Sequence, residues 1–592
     1  MLQLGPVLQF LGCQNHTWGI GVLVVTDAGD PPPALHLQAP AQVVAPVQMA
    51  VPGLSATAWR FDVAVPQTAA VQTVNYLLSG QSHSFDVPGI DAMPSMAYVS
   101  CNGFSDPRAK KGLQQPNALW SRLGRLHNRI DRVDSTSFGP LHLLLMGGDQ
   151  IYSDDMWVKL PELQAWSELP WPQRITAPFT ASLRNALAAH FSRLYLDRWS
   201  QPEVAALLAS VPTVMMWDDH DIMDGWGSHP AELHDCPVFQ GIFAVASSAF
   251  ELFQRQMMGA PSPATLPGQT AHSSGYRIGP AGLLVLDMRS ERRPRGQQTG
   301  ANGATVLLAE QVLSATSWSA VYQWLDAQLA AGGLRHLLVM SSIPVMHPSF
   351  EQLERMLGAL PAIEEIEDDL RDHWTSPPHK AERLRLVHRL LDACAKGLRV
   401  TVLSGDVHVA ALGEIESTRS TLPLEARSLT QLTSSGVTHP PPAGVARYFL
   451  EEACKQTETL EPGLTGQMVE FPTARRRLIV DFFQGIADTV IRMVHWILLA
   501  GPLGVFALIL PISAQAGASV VQALGIYIGM LCLLYLAITG ILYGVARIGD
   551  GEPLRRYAKA ILPAQVVAMS TQSSVATLPA MVESAGALDY PR

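Results

Sequence analysis

Three short clusters carry most of the chemistry open to this sequence. They are Gly148-Asp149-Gln150-Ile151-Tyr152-Ser153-Asp154-Asp155, Trp217-Asp218-Asp219-His220-Asp221 and Ser404-Gly405-Asp406-Val407-His408. Each sets carboxylates or imidazoles just past an apolar run. Oxygen and nitrogen ligands converging from several chain segments are what a divalent or trivalent metal pair requires. Such a pair neutralises the negative oxygens of a phosphate ester and makes hydroxide available from water near neutral pH. A neighbouring His stabilises the transition state or protonates the leaving oxygen.

The elements that must position these clusters are visible as apolar periodicity. Met96–Cys101, Leu141–Met146, Val211–Trp217 and Leu398–Ser404 read as buried strands, with Leu283–Asp287 and Leu337–Ser342 as further candidates. Asn117–Ile130 places Leu119, Leu123, Leu126 and Ile130 on one helical face. Ala381–Ala395 does the same with Leu384, Val387, Leu391 and Cys394, and Gly397 is a helix stop. Strands alternating with helices predict an α/β core, whose ligands bind at the carboxyl ends of the strands. Before it, residues 1–92 break into short apolar runs such as Ile20–Val25, Trp59–Val65 and Val71–Leu78, and predict a small β domain. The acidic stretch Glu351–Asp372 reads as a solvated helix face, with a metal-attracting lid as the alternative.

A chain of 592 residues has room for two or three domains. Only 16% of its residues are charged, and the mean hydropathy is +0.15, so apolar segments beyond an ordinary core are expected. The formal charge is −10 and no long basic run appears, which argues against a nucleic-acid footprint. Six scattered cysteines are no disulfide framework. The start of the chain lacks a basic segment ahead of its apolar residues, so no secretory signal is expected. Near the other end, His495–Ser513 and Ala523–Ala546 are each long enough to cross hydrocarbon. Arg475–Arg477 and Arg492 precede the pair, Arg547, Arg555, Arg556 and Lys559 follow it, and the connection Ala514–Ser519 is uncharged. The positive-inside rule then puts both ends in the cytoplasm.

Taken in order, the three clusters resemble the PhoD-like branch of the calcineurin-like metallophosphoesterases. The likeness rests on Gly148-Asp149-Gln150-Ile151-Tyr152, Trp217-Asp218-Asp219-His220 and Gly405-Asp406-Val407-His408, supported by Leu286-Asp287-Met288-Arg289-Ser290 and by Asp372-His373-Trp374 ahead of Glu382-Arg383. It spans roughly residues 1–450 and is dense over 96–410. The resemblance implies that Asp149 bridges two metals, that Tyr152 and Cys101 ligate an iron-like centre, and that Asp219, Asp406 and His408 bind metal. It makes His220 the catalytic His beside Asp219, with Asp218 or Asp221 orienting it. A thiolate and a phenolate in one site favour Fe(III) or Zn, with Ca, Mn or Mg as the second ion. Asn102 is a candidate phosphate donor or a loop cap; Arg289 is a candidate phosphate clamp or a partner of Asp287. His347 is a further candidate ligand or simply a loop residue, with His373 and His439 as lesser candidates. The superfamily's Asp-x-His is absent at the first strand, and Asp219 stands where its Gly-Asn-His asparagine would be. Both departures are shared with PhoD-like proteins.

The expectation is therefore a four-layer metallophosphoesterase-like core of α/β class, with a β-sandwich flanked by helices. Its expected parts are an all-β domain over 1–92, a catalytic domain over 93–450, a linker over 451–488, a transmembrane hairpin over 489–547 and a cytoplasmic tail over 548–592. The expected activity is hydrolysis of a phosphomonoester or phosphodiester by metal-activated hydroxide at the cytoplasmic face of a membrane. A membrane-anchored scaffold that binds phosphate ligands without turnover is the alternative. Substrate identity and oligomeric state are not written in the sequence.

Overall fold

Alternating burial decides the architecture. In the strand Ala281–Leu286 every residue is buried, and successive side chains point to opposite faces. Leu283 and Val285 join one apolar cluster, which also holds Leu143, Leu145 and Val214. Leu284 and Leu286 join a second, with Trp318, Leu325, Leu386 and Leu390. The strand is thus covered on one side by another sheet and on the other by helices. Each such side chain contributes about 1.5–3 kcal/mol when fully buried.

A computed structural model describes residues 1–469, apart from internal segments of which 348–373 and 442–453 are the longest, and residues 518–549 and 554–571. Met1–Phe471 form one unit and Pro472–Arg592 a second. The first unit holds a seven-stranded sheet in the order Val47–Ala50, Ala56–Pro66, Thr17–Asp27, Leu2–Gln14, Thr213–Met216, Leu143–Gly147, Met96–Val99. Its last four members run parallel. An eight-stranded sheet follows the order Ser274–Ile278, Ala281–Leu286, His336–Ser341, Arg399–Ser404, Ser428–Thr433, Ala411–Ser417, Leu464–Val469, Glu458–Glu461. Within it, the four strands from Ala281 to Thr433 in that order are parallel.

The predicted α/β core is therefore present, and every strand proposed ahead of a chemical cluster is found. The boundary expected at residue 92 is corrected. Leu2–Gln14, Thr17–Asp27, Val47–Ala50 and Ala56–Pro66 are built into the same sheet as the strands ahead of Asp149 and Asp218. Only Leu35–Gln38, Ala41–Val44, Gln72–Leu78 and Gln81–Val87 make a separate four-stranded sheet. The helix expected at Asn117 runs from Ala118 to His127, but it buries Trp120 and His127. Of the expected stripe, Leu123 packs against the core, whereas Leu119 is 42% and Ile130 69% exposed.

Two longer helices cover the seven-stranded sheet. Ala181–Trp199 starts at Thr180, whose hydroxyl accepts the Leu183 N–H, and buries Leu183, Leu187, Phe191 and Tyr195 along one side. Pro237–Phe253 packs against it. Lys380–Ala395 carries the predicted Val387, Leu391 and Cys394 face into the second cluster. In the second unit, a single helix spans Ala518–Gly549 and contains the apolar stretch Gln522–Ile541. It is the one helix among the described residues that is long and apolar enough to cross a membrane. The other expected span, His495–Ser513, and the acidic stretch Glu351–Asp372 lie outside the described residues.

Candidate active site

Four of the site residues sit two positions beyond a parallel strand. Val99 leads to Cys101, Gly147 to Asp149, Met216 to Asp218 and Ser404 to Asp406. An isolated parallel bridge between Ser100 and Gly436 joins the two sheets at this edge. Ligand atoms of Cys101, Asp149 and His408 lie within 4.8 Å of one another; so do those of Asp149, Asp219 and His220, and those of Asp149, Asp218, Asp219 and Asp406. Asp149 belongs to all three groups. Tyr152 joins them, with its hydroxyl 3.0 Å from His408 Nε2 and 3.4 Å from Asp149 Oδ2. Its ring stacks on His220 at 4.4 Å. A Cβ on Gly103 would fall 2.3 Å from that ring, so only glycine leaves room for it.

The backbone is held in an unusual state here. Cys101, Asp149, Asp406 and His408 all have positive φ, between 53° and 68°. Left-handed backbone costs a non-glycine residue about 1–2 kcal/mol and persists only where the surroundings enforce it. Cys101 N–H donates to Gly148 O at 3.2 Å and Asn102 N–H to Asp149 O at 2.7 Å. Thr438 and His439 N–H both donate to Cys101 O. Four of the ten described non-glycine residues with positive φ thus gather at this one point.

The electrostatics call for a cation. Burial, opposed by His220 and reinforced by Asp218, Asp219 and Asp221, pushes the Asp149 carboxyl well above the usual carboxylate range. Burial and the nearby Asp149 likewise push the Cys101 thiol up. Burial, helped by His439 and His220, holds the His408 imidazole well below its usual range, in the neutral form that ligates metal. Asp149 Oδ1 is buried and has no hydrogen-bond partner. Buried, mutually repelling carboxylates beside a thiol, a phenol and a neutral imidazole fit a bound metal pair.

The remaining predicted residues hold this arrangement. Asp221 accepts N–H bonds from Gln150, Ile151 and Asp218, and so fixes the Asp149 turn; burial, partly offset by those bonds, raises its pKa to about 7. Arg289 is fully buried, with its guanidinium on Asp218, 3.3 Å from Asp219 Oδ1 and donating to Trp226 O. Asp287 takes only its backbone N–H. Asn102 is fully buried too, and its Oδ1 accepts from Trp120 Nε1 and from Arg198. Both side chains are thus engaged by protein groups among the described residues. His347 is buried but belongs to none of the ligand groups found among the described residues.

Asp154 and Arg198 were not singled out from the sequence, and His439 was read only as a lesser ligand candidate. Asp154 Oδ2 lies 2.6 Å from His220 Nδ1. Against the effect of burial, Asp154, Asp219 and Asp149 hold the His220 imidazole well above its usual range. Asp154 was legible inside the first cluster, since it follows Tyr152 by two residues. His439 stacks on His408 at 3.6 Å, after a strand the sequence reading did not mark. Arg198, at the end of a long helix, gave no signal.

Replacing Asp154 by Asn should therefore lower turnover about 10–100-fold while metal content stays unchanged. It should also move the alkaline limb of the pH–rate profile to lower pH, because the carboxylate that raises the His220 pKa is gone. Steady-state kinetics across pH test this, and an unmoved limb would assign Asp154 another role.

A two-sheet α/β sandwich whose strand ends gather carboxylate, imidazole, phenol and thiol groups defines a candidate metallohydrolase. The chain belongs to the PhoD related phosphatase family, whose profile matches residues 121–365 and 354–458. Residues 464–591 are similar to the sodium:dicarboxylate symporter family. The uncharacterized protein YGR266W of Saccharomyces cerevisiae is 25% identical over 480 residues, which cover 67% of this chain and 64% of that protein. The chain thus spans a little under two thirds of this relative's length. A solved structure of PhoD matches with a TM-score of 0.45 and 15% identity, over 74% of this chain and 77% of that one.

Proposed function

We propose that this protein hydrolyses phosphate esters with two or more bound metal ions. The observation that supports it most is the convergence on Asp149. One buried carboxylate, with an oxygen lacking any hydrogen bond, sits in all three groups of ligand atoms. Cys101, Tyr152 and His408 would hold an ion such as Fe(III) or Zn, and Asp219 and Asp406 a second ion such as Ca, Mn or Mg, with the Asp149 carboxylate available to both. Bound there, the metals would supply positive charge to the phosphate and acidity to a water. His220 supplies the proton. Asp154 fixes it through Nδ1, which leaves Nε2 to donate to the leaving oxygen. Arg289 keeps Asp218 and Asp219 in place.

The test is turnover of p-nitrophenyl phosphate and bis-p-nitrophenyl phosphate by metal-replete protein. Hydrolysis of either supports the reading, and the ratio sets monoester against diester preference. Metal-replete protein that binds phosphate yet cleaves neither ester would make it a non-catalytic scaffold.

The protein is further proposed to be anchored in a membrane by a hairpin that pairs the apolar sequence His495–Ser513 with the helix stretch Gln522–Ile541, so that the basic flanks Arg475–Arg477 and Arg555–Lys559, and with them the hydrolase, lie on the cytoplasmic side. The likeness of residues 464–591 to a transporter family supports a membrane setting. Leu533 is 69% exposed in the middle of that helix. Leu533→Arg should cost about 2.5–3.5 kcal/mol of insertion and move protein from the membrane pellet to the supernatant. Unchanged fractionation would count against this helix as the anchor.

A further inference from the structure

Arg198 is a buried cation that reaches its nearest carboxylate, Glu203, only through Asn117, whose Nδ2 donates to Glu203 at 3.0 Å. It lies at the end of the helix Ala181–Trp199, and burial pulls its pKa down to about 10, so it stays charged at neutral pH. Its guanidinium nevertheless makes no ion pair with any described carboxylate. Nε donates to Asn102 O at 2.8 Å and to Asn102 Oδ1 at 2.9 Å. Nη2 donates to Asn102 Oδ1 at 2.7 Å, to Asn117 Oδ1 at 2.8 Å and to the Thr438 hydroxyl. Every partner is a neutral oxygen, and two of the three partner residues flank the site. Asn102 follows Cys101, and Thr438 precedes His439, whose ring stacks on His408.

We propose that Arg198 is a positioning residue, a planar cationic clamp that ties the Cys101–Asn102 turn to the Thr438–His439 loop and so sets the Cys101 side of the metal centre. The clamp rests on the metal-binding reading above. It accounts for how Cys101 keeps a φ of 58°. The turn is held from one side by Gly148 and Asp149, and from the other by Thr438 and His439. Arg198 bonds both the backbone and the side chain of its second residue. The fork explains the residue type. Lysine carries the charge on one compact ammonium and cannot reach Asn102 through two nitrogens while also bonding Asn117 and Thr438.

The test is cobalt(II) binding to the full-length, metal-stripped protein. It is followed by the thiolate-to-cobalt absorption band and by chelator competition, with thermal unfolding measured alongside. In Arg198→Lys the band should weaken or shift, and cobalt should bind about 10–100-fold more weakly at the thiolate side. In a Cys101→Ser background the same substitution should change cobalt affinity no further, because its effect acts through Cys101. An unaltered band and affinity in Arg198→Lys would overturn the clamp. So would a full additional loss in the Cys101→Ser background, or a variant that loses its fold, either of which makes Arg198 a general stability residue. Wild-type protein that binds no cobalt would instead overturn the metal reading itself.

Discussion

Asp149→Asn should lower kcat/KM for phosphate esters by about a thousandfold or more and reduce bound metal to at most one ion per chain. The substitution isolates charge. Asn has nearly the shape of Asp, and it tolerates the left-handed backbone that Asp149 adopts at φ 53°. The hydrogen bond from Asn102 N–H to the backbone carbonyl is therefore kept. What disappears is the one carboxylate common to all three groups of ligand atoms. Stability should move the other way. The folded pKa of Asp149 is raised, so metal-free wild type loses stability as pH rises from the unfolded pKa to the folded one. Asn does not titrate, and metal-stripped Asp149→Asn should melt at a higher temperature than metal-stripped wild type at neutral pH. Inductively coupled plasma analysis, kinetics and calorimetry on the same preparations check all three outcomes.

The second large effect is expected at His220. His220→Ala should lower kcat about 10²–10⁴-fold for an alkyl phosphate, whose leaving oxygen needs a proton. The loss should be much smaller for p-nitrophenyl phosphate, whose leaving group departs without one. Metal content should stay near that of wild type. Equal losses on both substrates together with loss of metal would make His220 a ligand, a role its place beside Asp149 and Asp219 leaves open geometrically. The contrast between leaving groups separates proton donor from ligand, which activity on one substrate cannot do.

The chemical clusters were legible because they end buried strands. A run such as Leu143–Gly147 must be apolar on both faces, so the polar residues that follow it stand out. The α/β core followed from the same runs. What escaped the sequence depends on distant pairing. The strands Leu2–Gln14 and Thr17–Asp27 look like those of an independent β domain, because their pattern says nothing about the partner at Thr213. The choice between phosphate donor and loop cap at Asn102, or between phosphate clamp and carboxylate partner at Arg289, has no local signal, and only the three-dimensional contacts show Arg198 and Asp218 engaging them. Arg198 lies 96 residues from Asn102 and 240 from Thr438, a separation that leaves no local pattern to detect.

The most direct test of the account is metal content measured together with ester hydrolysis on detergent-purified full-length protein. The account predicts two or more metal ions per chain and turnover of p-nitrophenyl phosphate or its bis ester, with both lost in Asp149→Asn. Protein that carries no metal, and stays inactive after Fe, Zn, Mn and Ca are supplied, would contradict it.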